Sequence, residues 1–227
     1  MRLSFLFLLF ALTACQPAQR KAGGTKNITE DTIETLQRLN LQDTVARLLH
    51  EIALTDTLEY YSSAYADTAP YPFIYFKAGK IFDKKKKSAL ALYSLNDTVV
   101  VYESYADSAG RWKQTGRQQA PIYRFSPAFF WTRYADYNFD GHQDIYTVYY
   151  SSLGLAYNYG YLLTYDPKTK ALKLHPESAE IADADPDPRT RTVVSEMMEE
   201  RWSDVMVIHS YKWVGDSLKF TGTRKKK

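Results

Sequence analysis

The chain has 227 residues, of which 29 are Lys or Arg and 26 are Asp or Glu, so its formal net charge is +3. This near balance excludes the broad basic field of a nucleic-acid-binding protein, and the length is sufficient for one good-sized hydrophobic core. Cys15 is the only cysteine, which excludes a disulfide within the chain.

The N-terminus is typical of an exported protein. A basic start precedes an apolar run over residues 3–12, which is too short to span a bilayer and predicts a signal peptide over residues 1–14. Residues 12–15 (Leu-Thr-Ala-Cys) resemble a bacterial lipobox, which implies lipidation of Cys15. The alternative is an ordinary cleaved signal with a coincidental cysteine. Gln16 resembles the residue that follows the lipidated cysteine in outer-membrane lipoproteins, so we expect a lipid-anchored outer-membrane protein that faces the periplasm.

A polar tether and a helical segment are expected next. Residues 15–28 contain Gly and polar side chains and predict a flexible tether. Residues 29–62 predict a helical segment with two helices, the second beginning near Asp43. The apolar residues at helical spacing are Ile33, Leu36 and Leu39 in the first helix and Val45, Leu48, Leu49 and Ile52 in the second. Such a pair buries its apolar stripe on a neighbouring β-domain or, alternatively, on a partner.

Residues 63–224 predict a β-domain. Short segments rich in β-branched and aromatic residues alternate with turn signals such as Asn96-Asp97 and Gly215-Asp216. The predicted strands are 73–76, 89–94, 98–105, 111–114, 123–125, 129–134, 145–151, 159–165, 171–175, 190–197, 205–213 and 217–221. The predicted fold class is therefore mainly β, an antiparallel propeller-like or sandwich sheet array with a short N-terminal helical segment.

Residues 136–144 have the residue types and spacing of a calcium-binding loop directly before a strand. The predicted metal ligands are Asp136, Asn138, Asp140, His142 through its backbone carbonyl, and Asp144, which acts directly or through water. Gly141 permits the sharp turn, but Thr147 stands where an EF-hand has a bidentate Glu. Weak binding, on the order of 10⁻⁴ M, is therefore expected. The alternative is a surface turn with accidental acidic spacing.

Two further segments are candidates for function. The tyrosine-rich stretch around Tyr157, Tyr159 and Tyr161 is a candidate ligand surface, although Tyr is simply favoured in strands. Residues 183–188 also carry alternating aspartates, but Pro188 stands at the glycine position, so we interpret them as a loop without a metal.

No motif predicts catalysis. The four histidines stand in unrelated contexts, and neither a Gly-x-Ser-x-Gly elbow nor a Gly-rich phosphate loop is present in the sequence. Glu177, Glu199 and Glu200 form an acid pair only if the fold brings carboxylates together. We therefore expect a protein that is not an enzyme.

The loop and the C-terminal hairpin resemble two related groups of proteins. The sequence Asp136-Tyr-Asn-Phe-Asp-Gly-His-Gln-Asp144 resembles the loop of FG-GAP/VCBS calcium-binding propeller repeats. With the closing Tyr211-x-Trp213 and Gly215-Asp216, it also resembles periplasmic lipoprotein immunity proteins that neutralise peptidoglycan-hydrolase effectors of type IV secretion systems. The resemblance covers residues 98–222, and it lacks the Phe-Gly-Gly-Ala-Pro phrase and any repeat of the loop.

These observations predict a lipid-anchored periplasmic binding protein with a structural calcium ion. The resemblance implies that its partner is a cell-wall hydrolase, which it inhibits or neutralises. The alternative is an envelope lipoprotein that binds glycan or peptidoglycan through an aromatic face, and a third hypothesis is a hydrolase with an unrecognised site. Nucleic acid is not expected as a partner.

Overall fold

The computed structural model describes residues 30–63, 73–94, 98–122, 130–152, 157–199 and 205–226. The predicted signal peptide, Cys15, the tether and the predicted strand 123–125 lie outside these residues. Within them the chain forms one N-terminal helix and three antiparallel sheets, which confirms the mainly β fold class. No helix in the described ranges is long and apolar enough to cross a membrane.

The N-terminal segment forms one helix, α1 (Glu30–Glu51), and not the predicted pair. Residues 40–43 contain neither Gly nor Pro, so nothing ends the helix there, and Thr44 Oγ1 donates to the Asn40 carbonyl 2.9 Å away within it. A 3₁₀ turn, Ile52–Leu54, follows the helix. The buried side chains recur every three or four residues, at Leu41, Val45, Leu48 and Ile52.

The first sheet is a five-stranded meander. Its strands are β1 (Leu58–Ser63), β2 (Phe73–Asp83), β3 (Lys86–Ser94), β4 (Val99–Ser108) and β5 (Arg111–Pro121). The expected helical segment over 29–62 is therefore too long, because β1 begins at Leu58 and pairs with β2. The six residues of β1 lie close to the end of the helix. They form a strand because they pair with β2, and not because of a local sequence pattern.

Both faces of the first sheet are buried. Ile74, Phe76 and Ala91 face α1 and pack with Leu48 and Ile52. The alternate residues of the same strands face the second sheet and include Phe73, Tyr75, Leu90 and Leu92. The predicted packing of the helical segment on the β-domain is thus observed.

Two four-stranded meanders follow in chain order. The second sheet contains β6 (Trp131–Ala135), β7 (Asp144–Ser152), β8 (Tyr157–Asp166) and β9 (Ala171–His175). After a 3₁₀ turn, Pro176–Glu180, the third sheet contains β10 (Asp185–Asp187), β11 (Thr192–Met198), β12 (Met206–Val214) and β13 (Ser217–Lys225). Residues 185–187 were expected to be loop, but they pair with β11 as a short strand.

The second sheet lies between the other two. One of its faces contributes Tyr161, Leu163 and Tyr165 to the core shared with the first sheet. The opposite face contributes Tyr146 and Leu162 to a second core, which also contains Tyr137, Val193 and Leu218. The loop that connects β6 to β7 is consequently held at the contact between the second and third sheets.

Candidate functional site

The 136–144 loop connects β6 to β7 and folds back on its own backbone. The two carboxylate oxygens of Asp136 accept hydrogen bonds from the backbone N–H groups of Asp140 (3.0 Å) and Gly141 (2.9 Å). Phe139 and Gly141 have φ angles of 62° and 91°, so the chain reverses through the left-handed region at both residues. The expected glycine turn is therefore present.

Asp144 anchors this loop to the second sheet. Its carboxylate is fully buried and accepts from three backbone N–H groups, those of Tyr137 (2.8 Å), Asn138 (3.0 Å) and Tyr165 (2.8 Å). Burial raises the pKa of Asp144 to about 7, although these three donors act to lower it. These bonds make Asp144 an anchor of the loop backbone.

The remaining side-chain oxygens gather at the solvent side of the loop. Asp140 Oδ1 accepts from the backbone N–H of His142 (2.8 Å), and Asp140 Oδ2 accepts from Asn138 Nδ2 (3.0 Å). Asn138 Oδ1 accepts from the Asp140 N–H at 3.1 Å. Asp136, Asn138 and Asp140 are thus brought together, as the spacing predicts, while the His142 ring lies 5.8 Å from the Tyr165 ring.

The donor set fits a hard cation held by few ligands. Two carboxylates, those of Asp136 and Asp140, lie beside the Asn138 amide, and all three groups offer oxygen. Among the residues that the structure describes, no group of three or more His, Cys, Asp or Glu side chains is arranged to hold a metal. The groups that could hold a cation are these three side chains, the His142 carbonyl and, directly or through water, Asp144.

The third sheet holds the loop from the other side, which the sequence did not indicate. Trp213 Nε1 donates to the Tyr137 carbonyl at 2.8 Å, and the Tyr137 hydroxyl donates to the Ala184 carbonyl at 3.1 Å. Arg191 donates to the Phe139 carbonyl at 3.0 Å and lies 5.5 Å from the centroid of the Phe139 ring. These contacts join positions about 50 to 75 residues apart in the chain, so local spacing contains no signal for them.

The tyrosine-rich stretch does not form the exposed face that was expected. Tyr157 and Tyr161 are buried, and the Tyr161 hydroxyl donates to the Pro121 carbonyl at 2.6 Å. The Tyr157 hydroxyl accepts from the backbone N–H of Met198. Tyr159 is half-buried and stacks on Tyr150 with 6.0 Å between the ring centroids. Of the three predicted residues, only Tyr159 presents a ring to solvent.

A second aromatic group lies on β12 and β13, and the sequence pattern did not indicate it. Phe220 is 56% exposed, and its ring centroid is 5.6 Å from that of Tyr211 and 5.9 Å from that of His209. Burial, followed by the charges of Glu180 and Tyr159, raises the pKa of Tyr211. Register explains the grouping, because Tyr211 pairs directly with Phe220.

The carboxylates considered for an acid pair are engaged separately. Glu177 Oε1 accepts from the backbone N–H of Leu218 at 3.0 Å, whereas Glu199 pairs with Lys225 at 3.0 Å. Glu200 lies outside the described residues.

No protein-family model matches the chain, and neither the curated proteins nor the solved structures contain a significant match to it. The fold and the site define a mainly β protein of three antiparallel sheets with a tightly bonded loop between the second and third.

Proposed function

We propose that this protein is a lipid-anchored, non-enzymatic binding protein of the periplasm, in which the 136–144 loop presents a calcium-stabilised surface to another protein. The observation that supports this proposal is the hydrogen bonding of the loop backbone. Asp136 and Asp144 together accept five backbone N–H hydrogen bonds, which hold the loop in one shape. A surface ordered in advance loses less conformational entropy on binding.

Calcium would act at the tip of this loop as a structural ion. Asp136, Asn138, Asp140 and the His142 carbonyl would hold it, while Asp144 fixes the backbone beneath them. The bound ion would neutralise the carboxylates of Asp136 and Asp140 and keep the tip closed. The periplasm supplies calcium to a site of this weak class, which agrees with the expected export of the chain.

The partner class that we propose is a cell-wall hydrolase, on the basis of the sequence resemblance. The test is an inhibition assay with purified peptidoglycan hydrolases encoded next to this gene, performed with the full lipoprotein in calcium and in chelator. We expect inhibition in calcium that Asp140→Ala weakens. Asp187→Ala, an aspartate of the neighbouring 183–191 loop, is the matched control and should leave inhibition unchanged. Equal activity of the hydrolases with and without the protein would reject this partner.

Membrane attachment is tested separately. Cys15→Ser should release the protein from the membrane fraction into the soluble periplasm, whereas Thr13→Ser, which leaves the cysteine in place, should not. Retention of Cys15→Ser in the membrane fraction would reject lipidation at this residue.

The aromatic group supports a second candidate, an envelope protein that binds glycan. Tyr211 and Phe220 present rings to solvent, with His209 beside Phe220, and sugar rings stack on such faces. Co-sedimentation with purified peptidoglycan, in the absence of any other protein, is the test. Phe220→Ala should reduce the bound fraction, and Tyr61→Ala, a 46% exposed aromatic of the first sheet, is the control. Equal sedimentation of wild type and Phe220→Ala would reject this surface.

A further inference from the structure

His175 is buried where the second sheet meets the third. It is the last residue of β9, its side chain is 3% exposed, and its ring packs edge-on against Trp213 of β12, with 4.7 Å between the ring centroids. Nε2 lies 2.8 Å from the Thr164 hydroxyl on β8. Elements of both sheets thus enclose a single imidazole ring.

The groups around His175 compensate a positive charge on it only in part. Glu177, from the 3₁₀ turn, lies 3.7 Å from Nδ1, beyond hydrogen-bond distance, and already accepts from the Leu218 N–H. Asp216, in the β12–β13 turn, is bonded to Lys173 of β9 at 2.9 Å. Lys173 is itself a cation close to the imidazole.

These charges act on His175 in opposite directions. Burial has the largest effect and lowers the pKa of His175. Glu177 raises this pKa, Lys173 lowers it, and the charge of Asp216 and a backbone hydrogen bond with Asp216 raise it. The net result is a lowered pKa, so the folded protein favours the neutral ring. Trp213 and Thr164, the other neighbours, carry no charge that would offset a proton.

We propose that protonation of His175 detaches the β12–β13 hairpin from the second sheet, which makes this junction a reversible acid-sensitive hinge. The contacts that would be lost are the Trp213 packing, the Leu218–Glu177 hydrogen bond and the Lys173–Asp216 ion pair. Trp213 also donates to the Tyr137 carbonyl, so opening would remove one support of the 136–144 loop.

The sign of the pH dependence follows from linkage. The pKa of His175 is lower in the folded state than in the unfolded or opened state, whose ordinary value is about 6.5. The closed junction is therefore most stable above that value. It loses stability as the pH falls towards the folded pKa, because the opened state binds the proton first.

Hydrogen exchange measured by mass spectrometry at pH 7.5 and pH 5.0, corrected for intrinsic exchange rates, tests the proposal on the full protein. We expect β12 and β13 to lose protection at pH 5.0, by roughly tenfold for each unit of pKa depression, while β2 to β4 stay protected. His175→Gln, which remains neutral, should abolish this difference. His209→Gln, a half-buried histidine on the same hairpin, should retain it.

Two results would overturn the proposal. One is equal protection of β12 in the wild type at both pH values, and the other is the same loss in His175→Gln as in the wild type. If His175→Gln does not fold, NMR titration of the wild-type histidines decides instead. A His175 pKa at or above about 6.5 would then reject the hinge, and a lower value with coincident β12 shifts would support it.

Discussion

The 136–144 loop and the 183–191 loop both carry Asp or Asn on alternate residues, yet only in the first do these residues bond to one another. In the first loop, Asp136 and Asp140 meet around the Asn138 amide. In the second, the carboxylates point to separate partners. Asp183 accepts from Asn158, Asp185 pairs with Arg133 at 2.9 Å, and Asp187 accepts from the Arg189 N–H at 3.0 Å.

The difference lies in the residues between the aspartates. Gly141 at φ 91° lets the first chain reverse, so that the N–H groups of residues 140 and 141 reach back to Asp136. The second loop has Pro188 at the corresponding position, and Pro186 lies within β10, whose pairing with β11 keeps this backbone extended. Acidic spacing alone is therefore insufficient to bring these residues together, because the turn residue decides whether the backbone reverses.

The largest expected loss of stability follows removal of Asp144 from the 136–144 loop, compared with removal of an aspartate from the 183–191 loop. Asp144→Ala leaves three N–H groups without their acceptor, two of them buried, and should lower the free energy of unfolding by about 4 kcal/mol. Asp185→Ala removes only an exposed ion pair and should cost about 0.5 kcal/mol. Urea denaturation measures both. A loss below about 1 kcal/mol for Asp144→Ala would show that water replaces the carboxylate.

Calcium should stabilise the first loop and not the second. At a calcium concentration about 100 times a dissociation constant on the order of 10⁻⁴ M, the stabilisation is about 2.7 kcal/mol. Melting in calcium and in chelator measures it. Asp140→Ala should abolish the difference between the two conditions, whereas Asp187→Ala should preserve it. Identical melting of the wild type in both conditions would disprove calcium binding.

Replacing the turn residue should also destabilise the 136–144 loop more than the 183–191 loop. A Cβ at Gly141 meets no atom within 4 Å, so the cost of Gly141→Ala comes from its positive φ alone and should be about 1 kcal/mol. Pro188→Ala should cost no more than about 0.5 kcal/mol, through the entropy of the unfolded chain. Equal losses for the two substitutions, measured by thermal unfolding, would contradict the proposed role of the glycine.

The smallest effect concerns the contact between the two loops. Arg191→Ala removes the hydrogen bond to the Phe139 carbonyl and the cation–π contact, at an exposed site, and should cost about 0.5 kcal/mol. Arg189→Ala, in the same loop, serves as the control. A double-mutant cycle of Arg191→Ala with Asp140→Ala measures the coupling. No difference between the two arginine variants would mean that the loops are held by Tyr137 and Trp213 alone.

Strands could be predicted from the sequence wherever β-branched and aromatic residues are frequent. β9, for example, has the predicted bounds, Ala171–His175. β2 was predicted only to Phe76 and extends to Asp83, through residues such as Lys77 and Gly79 that have weak strand propensity. Pairing with β1 and β3 extends it, because register with a neighbour supplies hydrogen bonds that the local sequence does not specify.

The geometry of the 136–144 loop could be predicted in part for a similar reason. Asp136, Asn138, Asp140 and Gly141 act on one another within six residues, so their spacing indicates their geometry. Asp144, a predicted ligand, also anchors the loop, because its Oδ1 accepts from the N–H of Tyr165, which lies 21 residues further along the chain. Its role depends on β8 lying against β7, and spacing within the loop contains no information about that neighbour.

The sequence by itself determined the mainly β class, the strand-rich segments and the tip of the 136–144 loop, because these depend on contacts between near neighbours. The tertiary structure alone decided that α1 is one helix on the first sheet, that Tyr157 and Tyr161 are buried, and that His175 lies between two sheets. These outcomes depend on which strands pair and which faces meet. Strand pairing and the contacts between faces are both determined by residues far apart in the chain, through burial and hydrogen bonds that no local pattern encodes.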